Sequence, residues 1–199
     1  MPRPRFRRLS PAKRQRIMEA AAREFAAHGY DNASLNQILQ DAAISKGAAY
    51  YYFDDKADLF ATTVSFYAAE LLDVTDLALS DLDAHNFWPS LATVYTRQMH
   101  HFENIPWAFG AIKAAWRIPQ ATFESQPALQ KLVSEIHSRL HDILQRGQEL
   151  GAIRTDLPLD LLAELFIAID DATDRWLLAN WQDLPGQELQ STVHGVLQG

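Results

Sequence analysis

The period at which apolar residues recur, and the punctuation around each run, constrains this chain more than any other feature. Ile17, Ala21 and Phe25 recur every four residues. Phe60, Val64, Tyr67, Leu71, Val74 and Ala78 do so at three and four, as do Leu129, Leu132, Val133, Ile136, Leu140 and Ile143. That spacing lays one stripe along a 3.6-residue helix. No segment alternates for long with the two-residue period of a half-buried strand. The spacing therefore predicts an all-α chain of about nine helices.

The punctuation sets the boundaries. Ser10-Pro11 is an N-cap followed by proline at the first helical position, and Gly29 stops that helix. Ser34 caps a short second helix carrying Leu35, Ile38 and Leu39. Ala42-Ala43-Ile44 is a tight connector, and Ser45 caps a third short helix to about Phe53. Asp54 or Asp55 opens a long fourth helix that should reach about Leu82. Further helices are expected over Phe87–Asn104, over 106–118, from Pro127 to about Gly147–Gly151, and from Pro158 to about Trp181. Pro185-Gly186 then precedes a short amphipathic tail.

Composition excludes several classes. The 199 residues contain no cysteine, which rules out disulfides and thiolate metal sites. No apolar run approaches the ~20 residues of a membrane span. The basic N-terminus has no apolar segment after it and is not read as a secretory signal. A soluble protein of a reducing, cytoplasmic compartment is expected, without a membrane partner. The formal charge of −7 is uneven: residues 1–56 carry ten Lys/Arg against six Asp/Glu, and the acidic excess lies in the rest. That basic head either meets a polyanion or is a frayed, solubilising tail.

Two short helices joined by a three- or four-residue turn are the helix-turn-helix geometry, whose second helix enters the major groove. Here the second is the 45–53 helix, with the run Tyr50-Tyr51-Tyr52. Ala49 and Phe53 can face inward with Ile44. Lys46, Gly47 and Tyr50 share the opposite face, flanked by Tyr51 and Tyr52, so the three tyrosines are read as lying outside the core.

The segments GYDNASLNQI (29–38) and AAISKGAAYYYFDDKADL (42–59) resemble the DNA-binding domain of the tetracycline-repressor (TetR) family. Phe25, Gly29, Ser34, Ile38, Ala42, Ser45, Lys46, Gly47, Tyr50, Phe53, Lys56 and Leu59 fall in the family's order, and the match spans about 10–60. The resemblance implies an N-terminal three-helix DNA-binding domain over 1–53. A larger helical ligand-binding and dimerisation domain would follow over 54–199. It also assigns roles. Ser34 would cap its helix and touch a phosphate. Lys46, Gly47, Ala48, Tyr50 and Tyr51 would line the groove, and Tyr52 and Lys56 would hold backbone phosphates. Arg3, Arg5, Arg7 and Arg8 would form an arm at the adjacent minor groove. Tyr51 is expected at a base edge, with Tyr50 and Tyr52 mainly on the backbone. Two positions depart from the pattern: Ala43 stands where the family usually has glycine, and Leu39 where it usually has alanine. If residue 43 takes a positive φ, alanine costs about 1 kcal/mol.

In the body, Trp88, Trp107, Phe109, Trp116 and Phe166, with His100, Asp170 and Asp174, are candidates for a small-molecule pocket. The helix 106–118, apolar nearly all round, is the best wall. The same aromatics can equally fill an ordinary helical core. Asp170 and Asp174 share a stripe with Ala163 and Ile167 and need partners if buried: a cationic ligand, an arginine or a second subunit. Partial exposure at a helix edge is the other reading. Adjacent His100 and His101 diverge by about 100° on a helix, so no metal is expected, and no cofactor. The helix 158–182 and the tail 186–198 are expected to pair two copies. The expectation is a dimeric repressor that leaves a palindromic operator when a small hydrophobic or aromatic effector binds. The alternatives are a helical ligand-binding protein whose head no longer reads DNA, and an enzyme built on His100 and His101.

Overall fold

The computed structural model describes residues 3–74 and 78–180. Among these residues there are ten α-helices and no strand. They are α1 Pro4–Arg7, α2 Pro11–Asn32, α3 Leu35–Asp41, α4 Lys46–Tyr52, α5 Lys56–Val74, α6 Phe87–Phe102, α7 Pro106–Ala114, α8 Gln120–Glu124, α9 Pro127–Glu149 and α10 Leu159–Asn180. Trp181 and the tail expected over 186–198 lie outside the described residues.

The local signals act as expected. Three serine hydroxyls accept from the backbone N–H three residues on: Ser10 from Lys13 at 3.4 Å, Ser34 from Gln37 at 3.3 Å and Ser45 from Ala48 at 3.2 Å. Each satisfies one of the unpaired donors of a first turn. Asp55 does the same for α5, its carboxylate accepting from Asp58 N–H at 2.8 Å. Gly29 breaks α2 with φ 69° and ψ 178°, a conformation open to glycine alone. The fourth helix is shorter than its apolar stripe suggests. It is described to Val74, and Leu79–Asp81 is a separate 3₁₀ turn.

The chain forms two compact units. The first comprises residues 1–71 and 105–133. Ile17, Met18, Phe25, Ile38, Phe53, Leu59, Phe60, Tyr67, Phe109, Ile112 and Leu129 are buried there. Helix α7 lies close against α2: a Cβ on Gly110 would stand 3.0 Å from that of Ala26. Trp107 meets Tyr67 edge-on at 5.6 Å, and Arg23 of α2 stacks on its ring at 4.5 Å. The expected helix 106–118 tightens after Ala114 into a 3₁₀ turn, Ala115–Arg117.

The second unit comprises residues 72–104 and 134–199. Leu82, Phe87, Met99, Phe102, Leu144 and Ala163 are buried in it. Asp83 Oδ1 accepts from the N–H groups of His85 and Asn86, both at 2.8 Å, and these bonds hold its pKa below the usual carboxylate value. Arg146 donates to the Leu82 carbonyl at 2.9 Å. Gly147 permits a close approach, since a Cβ there would lie 2.6 Å from Phe87 and 2.7 Å from Ile153. Gly151, at φ 70°, follows α9. No helix among the described residues is long and apolar enough to cross a membrane.

Candidate nucleic-acid interface

Helices α2, α3 and α4 build the head, and the connector between α3 and α4 is as tight as its sequence suggests. Ala43 N–H donates to Gln40 O at 3.0 Å and Ile44 N–H to Leu39 O at 3.0 Å. Closing the turn in this way drives Ala43 to φ 52°, in the left-handed region that glycine occupies at no steric cost. The alanine at this position is therefore strained. Leu39, the other departure from the family pattern, is buried in the head.

Helix α4 turns Ala49 and Phe53 inward and leaves Lys46, Gly47, Tyr50 and Tyr51 exposed, with Ala48 half-buried. Both exposed tyrosines retain 47% of their accessible surface. A Cβ on Gly47 would meet no protein atom within 4 Å. Glycine inside a helix costs about 1 kcal/mol relative to alanine. Nothing within the described fold requires that cost, and the open space lies on the solvent side.

Tyr52 departs from expectation. It is 8% exposed and belongs to the core of the head rather than to the fan of exposed tyrosines. Its ring lies 6.3 Å from that of Phe6 and 6.4 Å from that of Phe53. The reason is angular. Tyr52 sits one helical turn from the buried Ala49, and α1 covers that side.

The arginine-rich N-terminus is also not an extended arm. Pro4–Arg7 form one helical turn that buries Phe6 against Phe53, with the rings 4.9 Å apart. Arg3 ties it down. Its backbone N–H donates to Tyr52 O at 2.9 Å, its Nη1 to Tyr50 O at 2.8 Å, and its Nε and Nη2 to Asp54 at 2.9 and 2.6 Å. Arg5 stacks on Tyr51 at 4.0 Å from the ring centroid. Arg7 and Arg8 are exposed beside it. Phe6 was not singled out by sequence reasoning, and Arg3 was expected only as part of an arm at the groove. Proline at the start of α1 and one aromatic among arginines were the available signals.

Ser34 caps α3, and its own N–H donates to Glu24 at 2.7 Å, so a carboxylate stands at that helix start. Lys56 is half-buried. Its ammonium donates to Asp31 O at 3.0 Å and lies 5.1 Å over the Tyr30 ring. This ties the start of α5 to the end of α2.

The candidate ligand residues divide between the units. Trp107, buried Phe109 and Trp116 lie in the first; Trp88, His100, Phe166, Asp170 and Asp174 lie in the second. His100 is exposed, 3.4 Å from Glu103 just past the end of its helix. Asp174 is 1% exposed and accepts from the Tyr95 hydroxyl at 3.4 Å. Tyrosine was not among the partners foreseen for it. Burial, followed by the charges of Asp174 and Asp170, raises the Tyr95 pKa far above its usual value. Asp171 pairs with Arg175 at 2.9 Å, as their i,i+4 spacing suggests. A shallow cleft of about 170 Å³ lies between α9 and α10, lined by His137, Leu140, His141, Asp160, Ala163, Glu164 and Ile167. None of the foreseen ligand residues lines it.

Residues 17–63 match the family model described as "Bacterial regulatory proteins, tetR family". The HTH-type transcriptional repressor AcnR of Corynebacterium diphtheriae is 29% identical over 154 residues, covering 75% of this chain and 73% of that protein. Among solved structures, the fatty acid degradation regulator FadR of Bacillus halodurans superposes with TM-score 0.71 at 17% identity, covering 96% of this chain and 97% of that one. FadR of Bacillus subtilis in complex with stearoyl-CoA gives TM-score 0.68 at 19% identity, covering 92% and 96%. At these identities the structural likeness concerns the fold.

Proposed function

We propose that this chain, which belongs to the tetR family of bacterial regulatory proteins, is a dimeric cytoplasmic repressor that holds a palindromic operator through α4. It would release that operator when a small hydrophobic or aromatic effector binds. Its relatives are transcriptional regulators, and no enzymatic role is assigned. One observation carries the DNA-reading part: a helix whose glycine serves no internal packing presents Lys46, Tyr50 and Tyr51 to solvent. The small first turn lets the backbone approach the groove. Lys46, with Ser34, Lys56, Arg7 and Arg8, supplies phosphate contacts. Tyr52 serves by fixing the helix on its bed rather than by meeting the groove.

We divide the chain functionally into a reading head, 1–53, and a sensing and pairing body, 54–199. Helix α5 would be the lever between them. Exposed Leu161, Leu165, Ile169 and Trp176 form an apolar stripe along α10 that supports pairing through 158–182. Two heads in one dimer would read half-sites about 34 Å apart. An effector needs a coupling of about 1–3 kcal/mol to shift them out of register.

The test is selection of genomic fragments by the purified protein, followed by gel shifts over a salt series. Affinity for the selected site should fall steeply with salt, and Lys46→Ala with Tyr50→Ala should abolish binding to the selected site while leaving the dimer intact. If no fragment is selected, the head does not read DNA and the ligand-binding alternative stands. The stearoyl-CoA held by the Bacillus subtilis neighbour makes long-chain acyl-CoA the first effector to titrate. Hydrophobic cations come second, because of Asp170 and Asp174. The effector should change both tryptophan fluorescence and operator affinity.

A further inference from the structure

Helix α1 joins three features to α4 that do not follow from helix formation alone. Arg3 occupies the C-terminal end of α4, taking up the carbonyls of Tyr50 and Tyr52 and holding Asp54. Those carbonyls have no partner within the helix. Phe6 is 4% exposed and wedges between Tyr52 and Phe53. Between these two anchors, Arg5 lies flat enough on Tyr51 to bring its guanidinium carbon 4.0 Å from the ring centroid. Tyr51 also meets the buried Tyr52 edge-on at 5.6 Å. The Tyr51 ring therefore packs against both Tyr52 and Arg5, and Tyr51 still keeps 47% of its surface.

We infer that Arg5 is a positioning and specificity-determining residue of the DNA-reading surface, fixing the rotamer of Tyr51 and setting a guanidinium fork beside it. This rests on the proposed reading of DNA by α4. Two functions follow from one side chain. The stack removes rotamer freedom that Tyr51 would otherwise lose on binding. The planar fork offers paired donors to a base edge or phosphate next to the tyrosine hydroxyl. Lysine could replace the charge but neither the plane nor the fork. Arg3 and Phe6 are the supports that make this placement rigid, while Arg7 and Arg8 remain ordinary phosphate contacts.

The experiment compares the full-length protein with Arg5→Lys, Arg5→Ala, Tyr51→Ala and both double variants, on the selected operator and on unrelated duplex DNA over a salt series. Arg5→Lys should keep unrelated-DNA affinity and the salt slope. It should lose about two- to fivefold in operator affinity, the worth of an exposed cation–π contact. Arg5→Ala should lose the same selectivity and flatten the salt slope as well. In the Tyr51→Ala background, Arg5→Lys should cost less selectivity than in the wild type, because only the fork's own contact is then left to lose. Restoration of wild-type selectivity by Arg5→Lys would overturn the inference, since a point charge would then suffice. So would additive effects of the Arg5 and Tyr51 changes. Loss of selective binding by the wild-type protein itself would instead remove the reading on which the inference stands. Melting by circular dichroism identifies a variant that fails to fold. Phe6→Leu, which keeps the wedge apolar, should retain selectivity within about twofold; Phe6→Asp should mimic Arg5→Ala.

Discussion

Ala43→Gly should stabilise the head, and the magnitude follows from one dihedral angle. Ala43 sits at φ 52°. A non-glycine residue in that region carries about 1–2 kcal/mol of strain, because Cβ crowds the carbonyl oxygen. Glycine relieves it but raises the entropy of the unfolded chain by about 0.4–1 kcal/mol. Ala43 is exposed, so loss of its methyl group forfeits little burial, and its N–H bond to Gln40 survives. The net gain should be about 0.5–1 kcal/mol, or about 1–4 °C in the melting temperature of a chain this long. Global unfolding of a two-unit chain can mask a local gain. The sharper assay is therefore native-state hydrogen exchange at the Ile44 amide, which donates to Leu39 O across the turn. Its exchange should slow about two- to fivefold. Equal or faster exchange would refute the reasoning, because the dihedral angle would then not be strained. Operator affinity should stay within about twofold, since the substitution changes no groove-facing side chain.

Three further outcomes can be checked directly. Gly147→Ala should destabilise by about 1–2 kcal/mol in urea titration, despite alanine's better helix propensity, because the new Cβ would stand 2.6 Å from Phe87; a gain in stability would show that the contact relaxes freely. Burial raises the pKa of both Tyr67 and Tyr95 above 10, so the folded form keeps protons that the unfolded chain loses. Their contribution is complete below pH 10 and falls as pH rises beyond it, by at most about 1.4 kcal/mol per pH unit for each tyrosine; Tyr95→Phe should flatten the alkaline limb, and an unchanged slope would refute the assignment. Leu165→Asp with Ile169→Asp should yield a monomer in sedimentation, and a persisting dimer would move the interface away from the exposed stripe of α10.

What was legible in the sequence is what physical chemistry decides within a few residues. The serine caps at 10, 34 and 45 need only a hydroxyl and an N–H three positions on. Gly29 needs only its own dihedral angles, whereas position 43 stood out only because the resembled family usually has glycine there. Helices α1 and α8, of four and five residues, are too short to show a period. Their formation depends on what they pack against, as Phe6 does on Phe53. The placement of α7 was hidden for a related reason. A helix apolar all round must be buried, but periodicity cannot say by what. The deciding contact is Gly110 against Ala26, separated by more than eighty residues in sequence.

The tyrosine run shows how far angle alone carries a site. With Ala49 at the origin of α4, each residue advances by about 100°, which puts Tyr50 near 100°, Tyr51 near 200°, Tyr52 near 300° and Phe53 near 40°. Tyr52 and Phe53 thus straddle the inward direction within about 60°, and both are buried. Three successive tyrosines on a helix that packs at all cannot all face a groove. The bed for the third had to come from elsewhere, and Phe6 supplies it. Contact with the groove then rests on two rings. Tyr50 sits on the face shared with Lys46 and Gly47, while Tyr51 is pinned by its contacts with Tyr52 and Arg5. A pinned ring discriminates better than a mobile one, because it cannot turn to suit a wrong base step at the cost of a rotamer change alone. Tyr51 is accordingly the residue whose replacement should widen the range of sites bound, and Tyr50 the one whose replacement should weaken them together.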